Sequence, residues 1–138
     1  MKLIAVNTYE DLSQQAADIM ESQIRQKPNS VLGLATGSTP LGCYQELVRR
    51  HQAEGLNFSD ITTFNLDEYY NLPPDNPNSY HYYMNHFFFD HININKEATH
   101  VPNGMPKDLI AECREYDELS MKMGGTDIQI LGLGITGH

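Results

Sequence analysis

Positive charge is what this chain has least of. Only 9 Lys and Arg stand against 18 Asp and Glu in 138 residues, a formal net charge of -9. A surface so acidic repels nucleic acid and anionic membranes over its whole area, which excludes a general polyanion binder. Any phosphate-bearing ligand must therefore be gripped by a local device and not by the bulk field. Cysteine is nearly missing too. Cys43 and Cys113 lie far apart among helix-like residues, with neither Cys-x-x-Cys nor Cys/His spacing, so two reduced, partly buried thiols and no metal are expected. No apolar run approaches the length of a membrane span. The apolar start at residues 3–6 gives way at once to Asn7, Thr8, Tyr9 and Glu10, too soon for a signal peptide, so the expected location is cytoplasmic, away from membranes. Internal repeats and low-complexity tracts are absent as well. What is there is a 40% hydrophobic content, enough for the core of one domain over residues 1–138.

Residues 3–6 and the run Val31, Leu32, Gly33, Leu34, Ala35 predict strands, the second with the near-continuous apolar pattern of a strand covered on both faces. Residues 61–66, 99–101 and 127–134 predict three more. Between them, Thr8 or Asp11 caps a helix to about Gln26 with Leu12, Ala16, Ile19, Met20 and Ile24 inward. A second helix runs from Pro40 to about Glu54, with Tyr44, Leu47 and Val48 inward. A third covers the aromatic segment 80–89. A fourth covers 106–123, with Leu109, Ile110, Cys113, Tyr116 and Leu119 at helical spacing. Strands alternating with helices imply parallel pairing through right-handed crossovers, hence an α/β fold with an open, doubly wound, mainly parallel sheet, Rossmann-like in the broad sense. Such sheets bind ligands at the carboxyl ends of their strands.

Three strand ends carry chemistry. After the first, Thr36, Gly37, Ser38 and Thr39 precede Pro40. Gly37 permits a sharp turn, Thr39 suits an N-cap and Pro40 the first helical position, so a helix start would aim N–H groups and partial positive charge at an anion. A plain strand-to-helix turn fits the same residues. After the next, Asp67 and Glu68 stand where an apolar strand ends. Neighbours on a strand point to opposite faces, so the two do not share one task. A partly buried carboxylate there can have its pKa raised and act as a general base; solvated loop acids or helix caps are the alternative. After the last, Gly132, Gly134 and Gly137 match Gly-x-Gly-x-x-Gly, followed by His138. The dinucleotide fingerprint belongs to the first strand of its unit, which argues against that reading. An imidazole there suits acid/base work near neutral pH, although a lone His is more often structural or exposed. One architecture brings an anion cradle, a carboxylate and an imidazole to one sheet edge, a combination suited to proton shuttling on a phosphorylated sugar.

The motifs Gly33-Leu34-Ala35-Thr36-Gly37-Ser38-Thr39-Pro40, Thr63-Phe64-Asn65-Leu66-Asp67-Glu68-Tyr69, Ser79-Tyr80-His81-Tyr82-Tyr83-Met84, Pro102-Asn103-Gly104 and Ile130-Leu131-Gly132-Leu133-Gly134 with Gly137-His138 resemble the glucosamine-6-phosphate deaminase family in order and spacing. The resemblance implies conversion of glucosamine 6-phosphate and water to fructose 6-phosphate and ammonia, formally a hydrolase reaction of amino-sugar metabolism. It implies that Asp67 moves a proton between C2 and C1 of the opened sugar through an enolamine, and that His138 helps open the ring. Thr36, Gly37, Ser38 and Thr39 then grip the phosphate, while Glu68 and Thr136 line the site. No metal or organic cofactor is implied, because the substrate's amine supplies an iminium-type electron sink. The partner is a small-molecule sugar phosphate, and a homo-oligomer stays open. The family carries Asp or Asn two residues before the loop His, where Thr136 stands here. It continues past that His into an Asn-Glu-Pro element and then Arg and Lys phosphate ligands, so the chain reads as a C-terminally truncated, incomplete domain of little or no activity by itself. A 6-phosphogluconolactonase-like hydrolase, or a non-catalytic sugar-phosphate-binding paralogue, are the competing readings.

Overall fold

A computed structural model describes residues 1–137. Its elements are α1 (Tyr9–Gln26), β1 (Val31–Leu34), α2 (Ser38–Glu54), β2 (Thr62–Asn65), α3 (Tyr80–Phe87), β3 (Thr99–His100), α4 (Leu109–Lys122) and β4 (Ile128–Gln129), with short 3-10 turns at Phe89–His91 and Lys96–Ala98. The helices start where side chains can take up their first N–H groups. Thr8 Oγ1 accepts from Asp11 N at 3.0 Å, Ser79 Oγ from Tyr82 N at 3.0 Å and Asp108 Oδ1 from Ala111 N at 3.0 Å. Gly55, with φ 71°, closes α2 in the left-handed region that favours glycine.

The strands form one sheet in the order β3-β2-β1-β4, every pairing parallel. The chain steps outward from β1 through β2 to β3, then α4 carries it back across the sheet to the other side of β1. Strand order therefore reverses between β1 and β4, the position at which doubly wound sheets open a crevice. Leu32 and Leu34 point to one face, where α1, α2 and α3 enclose the core of Met20, Ile24, Tyr44, Leu47, Phe58 and Phe88. Gly33, Phe64 and Gln129 stand at the alternate positions, and Phe64 meets Tyr116 of α4 edge-on at 5.7 Å. Helices on both faces make the fold doubly wound, as expected. Arg50 ties α1 to α2 from the buried side, pairing with Asp18 at 2.7 Å, Glu21 at 2.8 Å and Glu46 at 2.9 Å. Among the described residues no helix is long and apolar enough to cross a membrane.

Several local expectations are corrected. Residues 3–6 form no strand, and Leu3 is 84% exposed. A short apolar run gains extended pairing only where a sheet edge accepts it, and no described strand does. In α1 the buried stripe is Ser13, Ala17, Met20 and Ile24, leaving Leu12 and Ile19 exposed. The stripe is shifted because α1 crosses α2 closely: a Cβ on Gly42 would lie 2.1 Å from Ser13 Oγ, so only small residues fit at the crossing. The fourth helix begins at Leu109, not at 106, and buries none of its residues; Cys113 is exposed and Ile110 is 78% exposed. The spacing of its apolar residues is helical, but no described element seals that face. Strand pairing at the end of the chain spans far less than 127–134. The ladder runs from Asp127 N–H on Val31 O (2.8 Å) to Ile130 N–H on Gly33 O (2.9 Å). It stops there because β1 itself ends at Leu34 and its backbone turns away into α2.

Candidate functional site at the carboxyl edge of the sheet

Beyond β1 the chain makes one sharp turn at Gly37, with φ 106° and ψ -176°, a backbone region open essentially to glycine alone. Gly37 is the N-cap of α2 and Ser38 its first helical residue, two residues earlier than the Thr39 cap and Pro40 start expected. No side chain caps this helix. Its first N–H groups are therefore not consumed by a capping oxygen, as they are in α1, α3 and α4, and remain directed at the strand-end crevice. Tyrosines secure the opposite, carbonyl side of the turn. The buried Tyr44 hydroxyl donates to Ala35 O and accepts from Ala35 N, Tyr83 donates to Gly37 O at 2.6 Å, and Tyr9 donates to Ser38 O at 2.6 Å.

The parallel register then brings the second candidate alongside. Leu34 pairs with Asn65, so Thr36 and Asp67 each stand two residues past a paired position on neighbouring strands. Gly33 pairs with Gln129, which puts Gly132 at the same level on the other side, and a Cβ on Gly132 would lie 3.5 Å from Thr39 Cβ. Tyr80 links the two loops. Its ring lies 4.8 Å from that of Tyr69, and the side chains of Tyr69 and Thr36 both act on its phenol. The Tyr69 hydrogen bond, burial and the negative charge of Asp67 push the Tyr80 phenol up to about 12, against the opposing Thr36 contact. Asp67 itself is exposed, on a cavity of about 380 Å³ bounded by Leu66, Tyr70, Gly104, Leu109 and Tyr116. None of the cradle residues lines that cavity.

Glu68 does something else. Its side chain is only 1% exposed and it caps α3 from outside. Oε1 accepts from Tyr69 N at 2.8 Å and Tyr80 N at 2.9 Å, while Oε2 takes His81 N and His81 Nδ1, both at 2.9 Å. Burial opposes ionisation, but these donors together outweigh it and hold Glu68 below the ordinary carboxylate range. A raised pKa, one of the readings for an acid here, does not apply to it. Glu68 borders the 380 Å³ cavity with its carboxylate already engaged. The split between Asp67 and Glu68 follows the alternation expected of a strand end.

Thr136 is exposed in a turn in which Gly137 N–H donates to Gly134 O at 2.9 Å. The expectation for His138 falls outside the described residues. Among those described, no group of three or more His, Cys, Asp or Glu side chains is arranged to hold a metal ion. Sequence reasoning passed over Tyr9 and gave no role to Tyr80, Tyr83 and Gly104, although these three stand in the motifs quoted above. Tyr80 and Tyr83 carried a usable signal, since i and i+3 after the Ser79 cap share one helix face. Gly104 carried less: only the fold reveals that a Cβ there would meet Leu72 O at 2.4 Å and Tyr69 O at 2.6 Å.

Comparison with known proteins identifies the family and the fold. The chain is 56% identical over its whole length to a glucosamine-6-phosphate deaminase of Thermoanaerobacter sp. (strain X514) and 54% identical to glucosamine-6-phosphate deaminase 1 of Bacillus subtilis (strain 168). It spans 54% and 57% of those relatives, about half their length. Among solved structures, a monomeric glucosamine-6-phosphate deaminase matches all of this chain with a TM-score of 0.97 at 54% identity, the chain covering 57% of it. A 6-phosphogluconolactonase from Thermotoga maritima matches 99% of the chain with a TM-score of 0.78 at 25% identity, the chain covering 61% of it. The model of the family described as glucosamine-6-phosphate isomerases/6-phosphogluconolactonase matches residues 5–138, and the chain belongs to that family.

Proposed function

We propose that this chain is the amino-terminal part of a glucosamine-6-phosphate deaminase, with Asp67 as the proton-transfer base and residues 36–39 as the phosphate cradle. The observation that carries this is the juxtaposition of an uncapped helix start and an exposed carboxylate on adjacent parallel strand ends, bridged by Tyr80. The whole-chain identity to curated deaminases supports it further.

In the ring-opened sugar, the C1 carbonyl acidifies the C2 hydrogen. Asp67 takes that proton, the electron pair forms the C1–C2 double bond, and the carbonyl oxygen takes a proton to give an enolamine. Return of the proton from Asp67 to C1 leaves an iminium at C2. Water adds to that carbon and ammonia departs, leaving the ketone of fructose 6-phosphate. The proton relocation is an aldose–ketose isomerisation, and water enters only when the carbon–nitrogen bond breaks. Tyr80 and Thr36 fix the spacing between the base loop and the cradle, and base and phosphate grip must be in register for one substrate to reach both. His138 is assigned to ring opening, by protonating the ring oxygen as the hemiacetal opens. Thr136, two residues earlier in sequence, is assigned to the lining of the site. Two free cysteines suit a reducing cytoplasm.

The test is ammonia release from glucosamine 6-phosphate by the intact protein, with residues 1–138 continuous with the rest of its reading frame. Asp67→Asn should reduce turnover by at least about a hundredfold while preserving the folded far-UV spectrum. Retained turnover in Asp67→Asn removes Asp67 from this role. Lactone hydrolysis without ammonia favours the lactonase reading, and calorimetric binding without turnover favours a sugar-phosphate binder.

A further inference from the structure

We infer that Tyr83 and Tyr9 are positioning residues that set the peptide planes of the cradle so that its amides, not its carbonyls, face the phosphate; this rests on the function proposed above. In a trans peptide the C=O and N–H point in opposite directions. Fixing one side of the plane therefore fixes the other. Tyr83 donates to Gly37 O at 2.6 Å, which turns the Ser38 N–H the opposite way. Tyr9 donates to Ser38 O at 2.6 Å, which does the same for the Thr39 N–H, and it also approaches Thr39 O at 3.1 Å. These are the first two N–H groups of α2, and no side chain caps that helix.

Tyr9 does more than donate. Its hydroxyl accepts from Gly42 N at 2.9 Å while donating to Ser38 O, so one phenol bridges the two members of an i→i−4 pair in the first turn of α2. The small residues at the helix crossing make this reach feasible. A Cβ on Gly42 would lie 3.0 Å from Tyr9 Cε1 as well as 2.1 Å from Ser13 Oγ. Two tyrosines from different helices, α1 and α3, thus converge on three successive residues of one turn. Such control is needed because Gly37 brings freedom: glycine can rotate its flanking peptides with little steric penalty. Without the phenols, the Gly37–Ser38 plane is free to flip and present its carbonyl to the anion. Burial, with a smaller contribution from nearby Tyr9, pushes the Tyr83 phenol up to about 12, so it stays a proton donor across the working pH range.

The experiment removes each hydroxyl in the intact protein and compares phosphate binding with chemistry. In Tyr83→Phe, the inhibition constant for inorganic phosphate and the KM for glucosamine 6-phosphate should both rise about five- to tenfold, the scale of one lost hydrogen bond, with kcat falling less than about twofold. Tyr9→Phe should behave alike and serves if Tyr83→Phe folds poorly. In amide-resolved NMR, inorganic phosphate should shift the Ser38 and Thr39 N–H resonances of the wild type, with a weaker response in either variant. Unchanged phosphate inhibition in both variants overturns the inference. So does a loss confined to kcat, which would point to damage at the base loop. Asp67→Asn, assayed in parallel, separates the two ideas. If it stays active the deaminase reading fails; if it is dead while the tyrosine variants bind phosphate normally, only the clamp fails.

Discussion

Where α1, α2 and α3 cover the sheet, Leu32 and Leu34 are wholly sealed, Tyr44 stacks on Phe88 at 4.9 Å and Phe58 meets Phe88 edge-on at 5.6 Å. Where α4 covers it, no helical residue is buried. That face is held by directed contacts instead. The Tyr116 hydroxyl donates to Asn65 O at 2.8 Å and His100 O at 3.0 Å, and the Phe64 and His100 rings stack at 4.6 Å. One face is stabilised by area removed from water and the other by a few polar and aromatic points. Area tolerates changes of pH and small displacements; point contacts do not. Asp67 sits on the rim between the two, so its loop has a rigid wall on one side and a conditional one on the other.

The contrast can be broken most directly at Phe88. Phe88→Ala should cost about 3–5 kcal/mol, since a fully buried ring leaves a cavity that its neighbours cannot fill. Urea denaturation measures this, and a loss under about 1 kcal/mol would mean that the face is not sealed. Tyr116→Phe should cost only about 1–2 kcal/mol, because the ring stays and only the donor to two carbonyls goes. A loss equal to that of Phe88→Ala would erase the distinction between the faces. The smallest effect concerns His100, whose imidazole is pushed below its ordinary value by burial. The unfolded chain binds the proton at the ordinary value of about 6.5, the folded chain only lower, so stability rises with pH through that window and is lost on acidification. Amide protection in α4 should therefore fall between pH 7.5 and 5.5 by more than protection in α2. Equal loss in both helices would show that His100 does not act on its own face.

How much of this was legible in the sequence depends on how local the cause was. The Thr8 cap, the Gly55 stop and the apolar run of β1 are decided by neighbouring residues, and they form as expected. The alternation that separates Asp67 from Glu68 is equally local. The buried stripe of α1 was displaced because Gly42, on another helix, demanded a small partner. Helical spacing in α4 correctly indicated a helix but could not say whether anything covers it. Residues 3–6 carry strand-forming side chains without a described partner. At the site, the glycine and the acid announced themselves by type and place. Tyr9 did not, because a hydroxyl that secures a distant carbonyl leaves no periodic trace in the chain, and Tyr80 and Tyr83 showed only their shared helix face, not the carbonyl or loop each one meets.

Gly104 has a reach beyond its own loop. It packs under the segment that follows Asp67, with its carbonyl accepting from Asn71 N at 2.8 Å and no room for a methyl group beneath Tyr69 O and Leu72 O. The height of the proposed base above the sheet is thus gauged by a shim inserted from the loop after the third strand. Any thickening of that shim would lift the carboxylate away from its proton, even with every residue of the Asp67 segment unaltered.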